Sequence, residues 1–198
     1  MEFDNVDFEP VRICLIGNSK LSQVVQSLVP EFETLAHITI IDNVFNDAVK
    51  AARDLIEREQ VDIFISAGAN AFYLQNTLPI PVLALKVERT DLINAVLTAQ
   101  RISSKILLLT YERQEINLDL FGLFDGIELV PYTYSTAEHA KEIFHSVRNE
   151  DFGVVIGSSF ACDMADKAGL QSILLYSRES CRNLIRKALA RKAQNHAI

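Results

Sequence analysis

The feature that most constrains this chain is that it states one βα unit twice. Val61 to Leu85 runs VDIFISAGANAFYLQNTLPIPVLAL. Its first apolar run, Val61 to Ile65, ends in Ser66-Ala67-Gly68; a short helical piece, Pro79 and a second apolar run over Val82 to Leu85 follow. From Phe152 the chain runs FGVVIGSSFACDMADKAGLQSILLY, with the same events in the same order. Phe152, Ile156 and Ile173 lie 91 positions after Val61, Ile65 and Val82, so the offset holds across the unit without a gap. Strand, small-residue loop, helix and strand repeated at constant spacing predict two similar lobes.

Small residues between a buried strand and a helix let the backbone approach a ligand closely, and the first N–H groups of the helix then point at it. For a lone loop, turn geometry is the simpler reading; the repetition favours a site. Two such loops facing each other across a cleft would enclose a small polar or anionic molecule.

The remaining chain fits the same architecture. Strands are expected at Arg12 to Ile16, closed by Gly17-Asn18, and at Ile38 to Ile41. The helix between them, about Lys20 to Leu35, carries Pro30 as a break or restart. Phe45, Ala48, Val49, Ala52, Leu55 and Ile56 share one helical face. Thr90 to Ser103 is apolar most of the way round and capped at or just before Thr90, so it is expected to be buried between the lobes. Ile106 and Leu108 answer Ile13 and Leu15 at an offset of 93, within a strand over Ile106 to Thr110. A helix around Gln114 to Phe124, a strand over Ile127 to Val130, a capping box at Ser135 to Glu138 and a last helix over Glu179 to Gln194 complete the count. Alternating β and α with near-continuous apolar strands predicts α/β lobes, each a three-layer α/β/α sandwich on a parallel sheet. The expected boundaries are 11–88 and 105–178 for the lobes, 89–104 for a connecting helix and 179–198 for a C-terminal helix.

Composition removes several classes. With 198 residues, 49% of them hydrophobic, the chain can fill two lobes. A net charge of −7 argues against nucleic-acid contact by the chain as a whole. No apolar run reaches membrane-spanning length, and the start, MEFDNVDFEP, is acidic where a signal peptide would be basic and then apolar. Cys14, Cys162 and Cys181 form no C-x-x-C pair, which fits a reducing cytosol.

Lys86 follows the C-terminal end of its strand, the edge where open α/β sheets bind ligands, and is a candidate partner for a carboxylate. Ser177 holds the matching place in the second lobe, 91 positions on, with Arg182 one turn into the last helix. Ser66, Gly68, Asn70, Ser158 and Ser159 lie in or beside the two loops and complete the candidate ligand-binding set. His139 and His145 fall on different helix faces, so no metal site is implied, and no G-x-S-x-G, Walker or G-x-G-x-x-G motif is present. Cys162 is the one candidate nucleophile, at the start of the helix after the second loop. The layout is similar to two-lobed aspartate and glutamate racemases, which use one cysteine from each lobe, but Ala71 stands where the second would be. The last helix sets Arg182, Arg186, Lys187, Arg191 and Lys192 around a stripe of Ile185, Ala188 and Leu189, a solvated face over a packing stripe.

Taken together, DIFISAGANAFYL, IPVLALKVERTDLINAV, VVIGSSFACDMADKAG and ILLYSRESCR resemble the N-terminal sensor domain of PrpR-type, sigma-54-dependent transcriptional activators, the regulators of propionate catabolism. Ser66 to Gly68, Ile80 to Val82, Lys86, Asp91, Ala168 to Leu170, Tyr176 and Ser177 match the family's features. Departures are Glu88-Arg89, where the family often has Ser-Gly, and Ser158-Ser159, where glycines are common. The resemblance implies chelatase-like lobes, a small-molecule sensing cleft without a cofactor, and no enzymatic activity. In full-length relatives a AAA+ ATPase and a helix-turn-helix DNA-binding domain follow, so this domain itself would contact neither nucleic acid nor membrane. A cytoplasmic location, a possible homodimer and a 2-methylcitrate-like organic acid between the lobes, met by Lys86 and Arg182, complete what it implies. An amino-acid racemase or isomerase of the same build stays as the alternative.

Overall fold

The computed structural model describes residues 9–195; residues 1–8 of the expected lead-in, and 196–198 of the expected tail with His196, lie outside them. Lobe one runs β1 (Val11–Gly17), α1 (Ser19–Phe32), β2 (Ala36–Asp42), α2 (Phe45–Glu57), β3 (Ile63–Ala67), α3 (Gly68–Thr77) and β4 (Val82–Leu85). After α4 (Arg89–Ala99), lobe two runs β5 (Lys105–Tyr111), β6 (Glu128–Tyr134), α5 (Ala137–Ser146), β7 (Val154–Gly157), α6 (Ser159–Lys167) and β8 (Gln171–Leu174), and α7 (Arg178–Asn195) is the last element among the described residues. Both sheets are parallel, ordered β2-β1-β3-β4 and β6-β5-β7-β8. The repeat survives at single-residue level. Ile13 pairs with Ile38 and Ile63, and its counterpart Ile106 pairs with Leu129 and Val154.

Each sheet is covered on both faces, as continuous apolar strands require. On sheet one, Ala48, Ala52 and Leu74 of α2 and α3 pack on Cys14, Ile16, Phe64 and Val82. On its other face Leu21, Val25 and Leu28 of α1 lie beside Cys181, Leu184, Ile185 and Ala188 of α7, over Ile13, Leu15, Ile63 and Ile65. On sheet two, Ala140, Ile143, Ala161 and Ala165 of α5 and α6 pack on Leu107, Leu109 and Val155. The opposite face is covered by Leu92, Ala95, Val96 and Ala99 of α4, against Ile106, Leu108, Val154 and Ile156.

The helices that follow the two units are therefore exchanged. α4 leaves lobe one to cover sheet two, and α7 leaves lobe two to cover sheet one. This corrects the expectation that the Thr90 helix sits between the lobes. Its apolar stripe satisfies a sheet, while Leu97 remains 39% exposed.

Other differences have local causes. The helix expected over Gln114 to Phe124 is only a 3-10 turn at Leu118–Leu123, where the Asn117 side chain accepts the Asp119 N–H at 2.9 Å and competes with helical pairing. α4 begins one residue before Thr90, with Glu88 as its N-cap. The cap of α5 is Thr136, which accepts the His139 N–H at 3.1 Å, rather than Ser135. α1 runs through Pro30, which sits in its last turn. β3 begins at Ile63 and carries on through Ser66 and Ala67, because these two pair with Ala84 and Leu85.

The two crossings are joined to each other. Asp91, 2% exposed, accepts the Glu88 N–H at 2.9 Å within the first turn of α4, the Ser177 N–H at 3.1 Å and the Ser180 hydroxyl at 2.8 Å. Asp91 and Ser180 occupy the third position of their respective helices, so equivalent sites of the two repeats meet here.

Candidate functional site

The small-residue loops of the two lobes do face each other, but they pack together. Gly17, Asn18, Ala67, Ala69 and Asn70 of lobe one meet Ser158, Ser159 and Phe160 of lobe two around a void of only about 20 Å³. A Cβ built on Gly68 would lie 3.6 Å from that of Ser158. Gly68 has a φ of +54°, a conformation that glycine adopts without the cost other residues bear.

Polar ties close this flank. The Ser159 hydroxyl donates to the Asn18 carbonyl and accepts the Leu21 N–H at 3.2 Å, in the first turn of α1. The Asn18 amide donates to Asp163 of α6, and Lys20 Nζ donates to the Ser172 carbonyl at 2.7 Å. Aromatic contacts extend the junction: Phe45 of lobe one meets Phe160 edge-on at 5.3 Å, and Phe72 meets Tyr111 at 5.9 Å.

The ligand-sized space opens beside the loops. A cleft of about 360 Å³ is lined from lobe one by Gly68, Ala71, Phe72, Gln75 and Ala84 to Val87, and from lobe two by Tyr111 and Arg113 to Glu115. This places it at the carboxyl ends of β3, β4 and β5, where an open parallel sheet presents its loops. Lys86 enters from one lobe and Arg113 from the other. Neither forms an ion pair among the described residues; the Arg113 guanidinium instead lies 4.5 Å from the centroid of the Phe72 ring. Glu115 is the one carboxylate in the lining, so the cleft favours an anion. Behind it, Gln114 Nε2 donates to the Tyr176 hydroxyl at 2.6 Å, while Gln114 Oε1 is buried without a partner among the described residues. Burial drives the Tyr176 phenol strongly upward and raises that of Tyr111 as well.

The eight residues singled out from sequence separate accordingly. Gly68 and Lys86 line the cleft, and Ser158, hydrogen-bonded to the Tyr134 hydroxyl at 3.2 Å, abuts Gly68. Ser66 is fully buried and donates to the Ile16 carbonyl at 2.6 Å, pinning β3 to β1. Asn70 spends both ends of its amide on the loop before α2, accepting the Phe45 N–H at 2.9 Å and donating to Asn43 at 2.8 Å. Ser159 caps α1. Ser177 caps α7, accepting the Ser180 N–H at 3.1 Å. Arg182 is not brought to the cleft. It is bidentate to Glu31 of α1 at 2.6 and 3.0 Å and also meets Glu179, contacts that push its pKa further upward.

Sequence reasoning missed Arg113 and Gln114. The offset of 93 carries Gly17-Asn18 onto Thr110-Tyr111 and so points to the loop after β5, but Gln114 falls at the start of the helix expected over Gln114 to Phe124 and Arg113 just before it. Among the described residues no group of three metal-ligating side chains comes together, and no helix is long and apolar enough to cross a membrane.

Comparison with known proteins places this architecture. A crystal structure of an NtrC family transcriptional regulator from Clostridium acetobutylicum superposes with a TM-score of 0.77 at 25% identity, covering 91% of this chain and 96% of that one. A transcriptional activator of the comK gene from Bacillus halodurans (TM-score 0.38, 14% identity, 82% of this chain and 70% of that one) and CcpA of Lactococcus lactis (0.40, 12%, 84% and 78%) also match. The family model described as propionate catabolism activator matches residues 32–194. On that match, which covers lobe one from the end of α1, all of lobe two and most of α7, the chain belongs to the PrpR N-terminal family of propionate catabolism activators.

Proposed function

We propose that this chain is the cytoplasmic ligand-sensing domain of a sigma-54-dependent transcriptional regulator, taking a small organic acid in the interlobe cleft and passing its occupancy to a downstream AAA+ ATPase. The observation that carries the reading is that Lys86 and Arg113, from different lobes, line one cleft of about 360 Å³ without ion-pair partners among the described residues. A ligand carboxylate bridging them would contact both lobes at once and favour the arrangement in which they are close, by its differential affinity for that arrangement. The volume lies at the lower end of the range of small-molecule sites, which suits a di- or tricarboxylate such as 2-methylcitrate. The cleft also has a physical route outward. Gln114 bonds Tyr176, whose neighbour Ser177 caps α7 and donates to Asp91.

In this reading Gly68, Lys86, Arg113 and Gln114 contact the ligand, with Ser158 behind Gly68. Ser66, Asn70, Ser159, Ser177 and Arg182 hold the lobes and helices in place. The racemase alternative loses support at Cys162: the thiol is fully buried, donates to the Gly157 carbonyl at 3.7 Å, and burial pushes its pKa to about 11. A thiol so held is poorly ionised at neutral pH.

The test is calorimetry and thermal shift of the purified domain against 2-methylcitrate, citrate, propionate, aspartate and glutamate. A ligand at 100 times its Kd adds about 2.7 kcal/mol, a rise of roughly 5–10 °C for a chain of this size. Lys86→Ala and Arg113→Ala should each weaken binding at least tenfold. No binding by any of the five, or binding untouched by both substitutions, sinks the proposal.

A further inference from the structure

A groove larger than the interlobe cleft lies on the other side of β4 from β3. A trough of about 670 Å³ runs between the edge strand β4 and α7, lined by Val82 to Lys86, Gln75, Glu88 and the α7 residues Ser180, Asn183, Leu184, Arg186, Lys187, Ala190 and Arg191. Apart from Arg186, these α7 positions recur at three- and four-residue steps, so they form one stripe along the helix. The stripe from Ser180 to Arg191 is roughly 16 Å long, and Val82 to Lys86 extends about 13 Å beside it. The trough is thus linear, with a strand as one wall and a helix as the other.

Its charge opposes that of the whole chain. The chain carries a net charge of −7, yet Lys86, Arg186, Lys187 and Arg191 line this groove against Glu88 alone. Other cations of α7 are spent locally: Arg182 on Glu31, and Lys192 on Asp62 at 2.9 Å. Of the groove cations, only Arg186 approaches a carboxylate among the described residues, Glu179 at 3.7 Å.

The strand wall also has no neighbouring strand on this side. The Phe64 N–H bonds the Pro81 carbonyl, so alternation along a parallel ladder turns Leu83 and Leu85 toward β3 and leaves the backbone groups of Val82 and Ala84 on the open edge. The Val82 carbonyl confirms this orientation by accepting Gln75 Nε2 at 3.1 Å. With the Val82 carbonyl held by Gln75, the Val82 N–H and both backbone groups of Ala84 remain for an added strand, and the basic helix that roofs the edge supplies a cover for one face and counter-charges for its side chains.

We propose that the β4–α7 groove is a docking site for an acidic, extended peptide segment of a partner protein, which adds as a fifth strand to sheet one and sets its carboxylates against Arg186, Lys187 and Arg191. A compact anion would meet one or two of these cations and none of the strand edge. A linear segment of four or five residues meets both. The site differs from the interlobe cleft and shares only Gln75, Lys86 and the β4 end Ala84-Leu85 with it.

The test uses a fluorescein-labelled peptide of three Val-Glu repeats, read by fluorescence anisotropy at low salt, with a Val-Lys analogue and a version N-methylated at every valine. The acidic probe should bind at least tenfold more tightly than either analogue. Charge reversal (R186E/K187E/R191E) should abolish binding, whereas Arg148→Glu on lobe two should not; the milder R186Q/K187Q/R191Q set, confirmed folded by circular dichroism, should weaken it at least fivefold. Equal binding of the N-methylated probe would mean that no strand is added. Undiminished binding by the glutamine set, or failure of the acidic probe to bind, would equally overturn the proposal. Sedimentation of the unliganded chain supplies the last check: a dimer that the charge reversal dissociates would give the groove to a second copy and overturn it too.

Discussion

Replacing Asp91 with alanine should destabilise the protein out of proportion to the few atoms removed. The carboxylate is 2% exposed and serves three donors, the N–H groups of Glu88 and Ser177 and the hydroxyl of Ser180. Alanine leaves all three without their acceptor at the junction where the chain crosses between lobes twice. Taking about 1 kcal/mol for each neutral donor, and somewhat more because the acceptor is charged, the loss is roughly 3 kcal/mol. Relief of carboxylate desolvation offsets part of the gross interaction and is why the figure is not larger. For a chain of this length that corresponds to roughly 6–12 °C in Tm. Urea unfolding followed by circular dichroism measures it, with Ser180→Ala and the double variant closing a thermodynamic cycle. Ser180→Ala alone should cost about 1 kcal/mol, and the pair should show a coupling of similar size. A loss below about 1 kcal/mol for Asp91→Ala, or additive singles, would refute the view that Asp91 clasps both crossings.

Asp62 supplies a prediction in pH. Burial alone would raise its pKa, but hydrogen bonds from the side chain and backbone of Arg12 and from Lys192 outweigh burial and hold the carboxyl well below its ordinary value. A depressed folded pKa stabilises the fold above the unfolded value near 3.9, and that contribution drains away as pH falls through it toward the folded value. The urea midpoint of the wild type should therefore drop more between pH 6 and pH 3 than that of Asp62→Asn; parallel profiles would refute a stabilising role for the bonds from Arg12 and Lys192 to Asp62. Gly157→Ala tests the packing of β7 on α6 and β5. Its Cβ would stand 2.6 Å from both the Ala161 Cβ and the Leu109 carbonyl oxygen, so a loss of about 2 kcal/mol or more is expected, whereas Gly122→Ala, with nothing within 4 Å, should be close to neutral. The cysteines should be silent in the native state. Burial raises Cys14 and Cys181 to about 12 and Cys162 to about 11, so a disulfide reagent at pH 8 should label none of them until urea is added, and prompt labelling of Cys162 would revive the racemase reading.

Half of the candidate site was legible before folding. Gly68 and Lys86 follow from a rule about strand ends, and that rule needs only the strand pattern. Arg113 and Gln114 obey the same rule, but polar residues after a strand look alike whether they open a helix or line a cleft, and the segment after them folds only as a short 3-10 turn. Arg182 was misplaced for a different reason. Its spacing from Ser177 fixes a helical turn but not what stands opposite, and Glu31, 151 positions away in the chain, claims it.

The sequence by itself determined the two βα units, their parallel strands and the residues at the strand ends, because apolar runs, small-residue loops and offsets of 91 and 93 between matching strands are properties that the chain writes twice. Only the tertiary structure decided which helix covers which sheet. The stripes of α4 and α7 announce burial without naming a partner, since apolar burial has no direction of its own. Their exchange between lobes brings Asp91 to Ser180, sets the basic side of α7 along the open edge of β4, and leaves the interlobe cleft to Lys86 and Arg113.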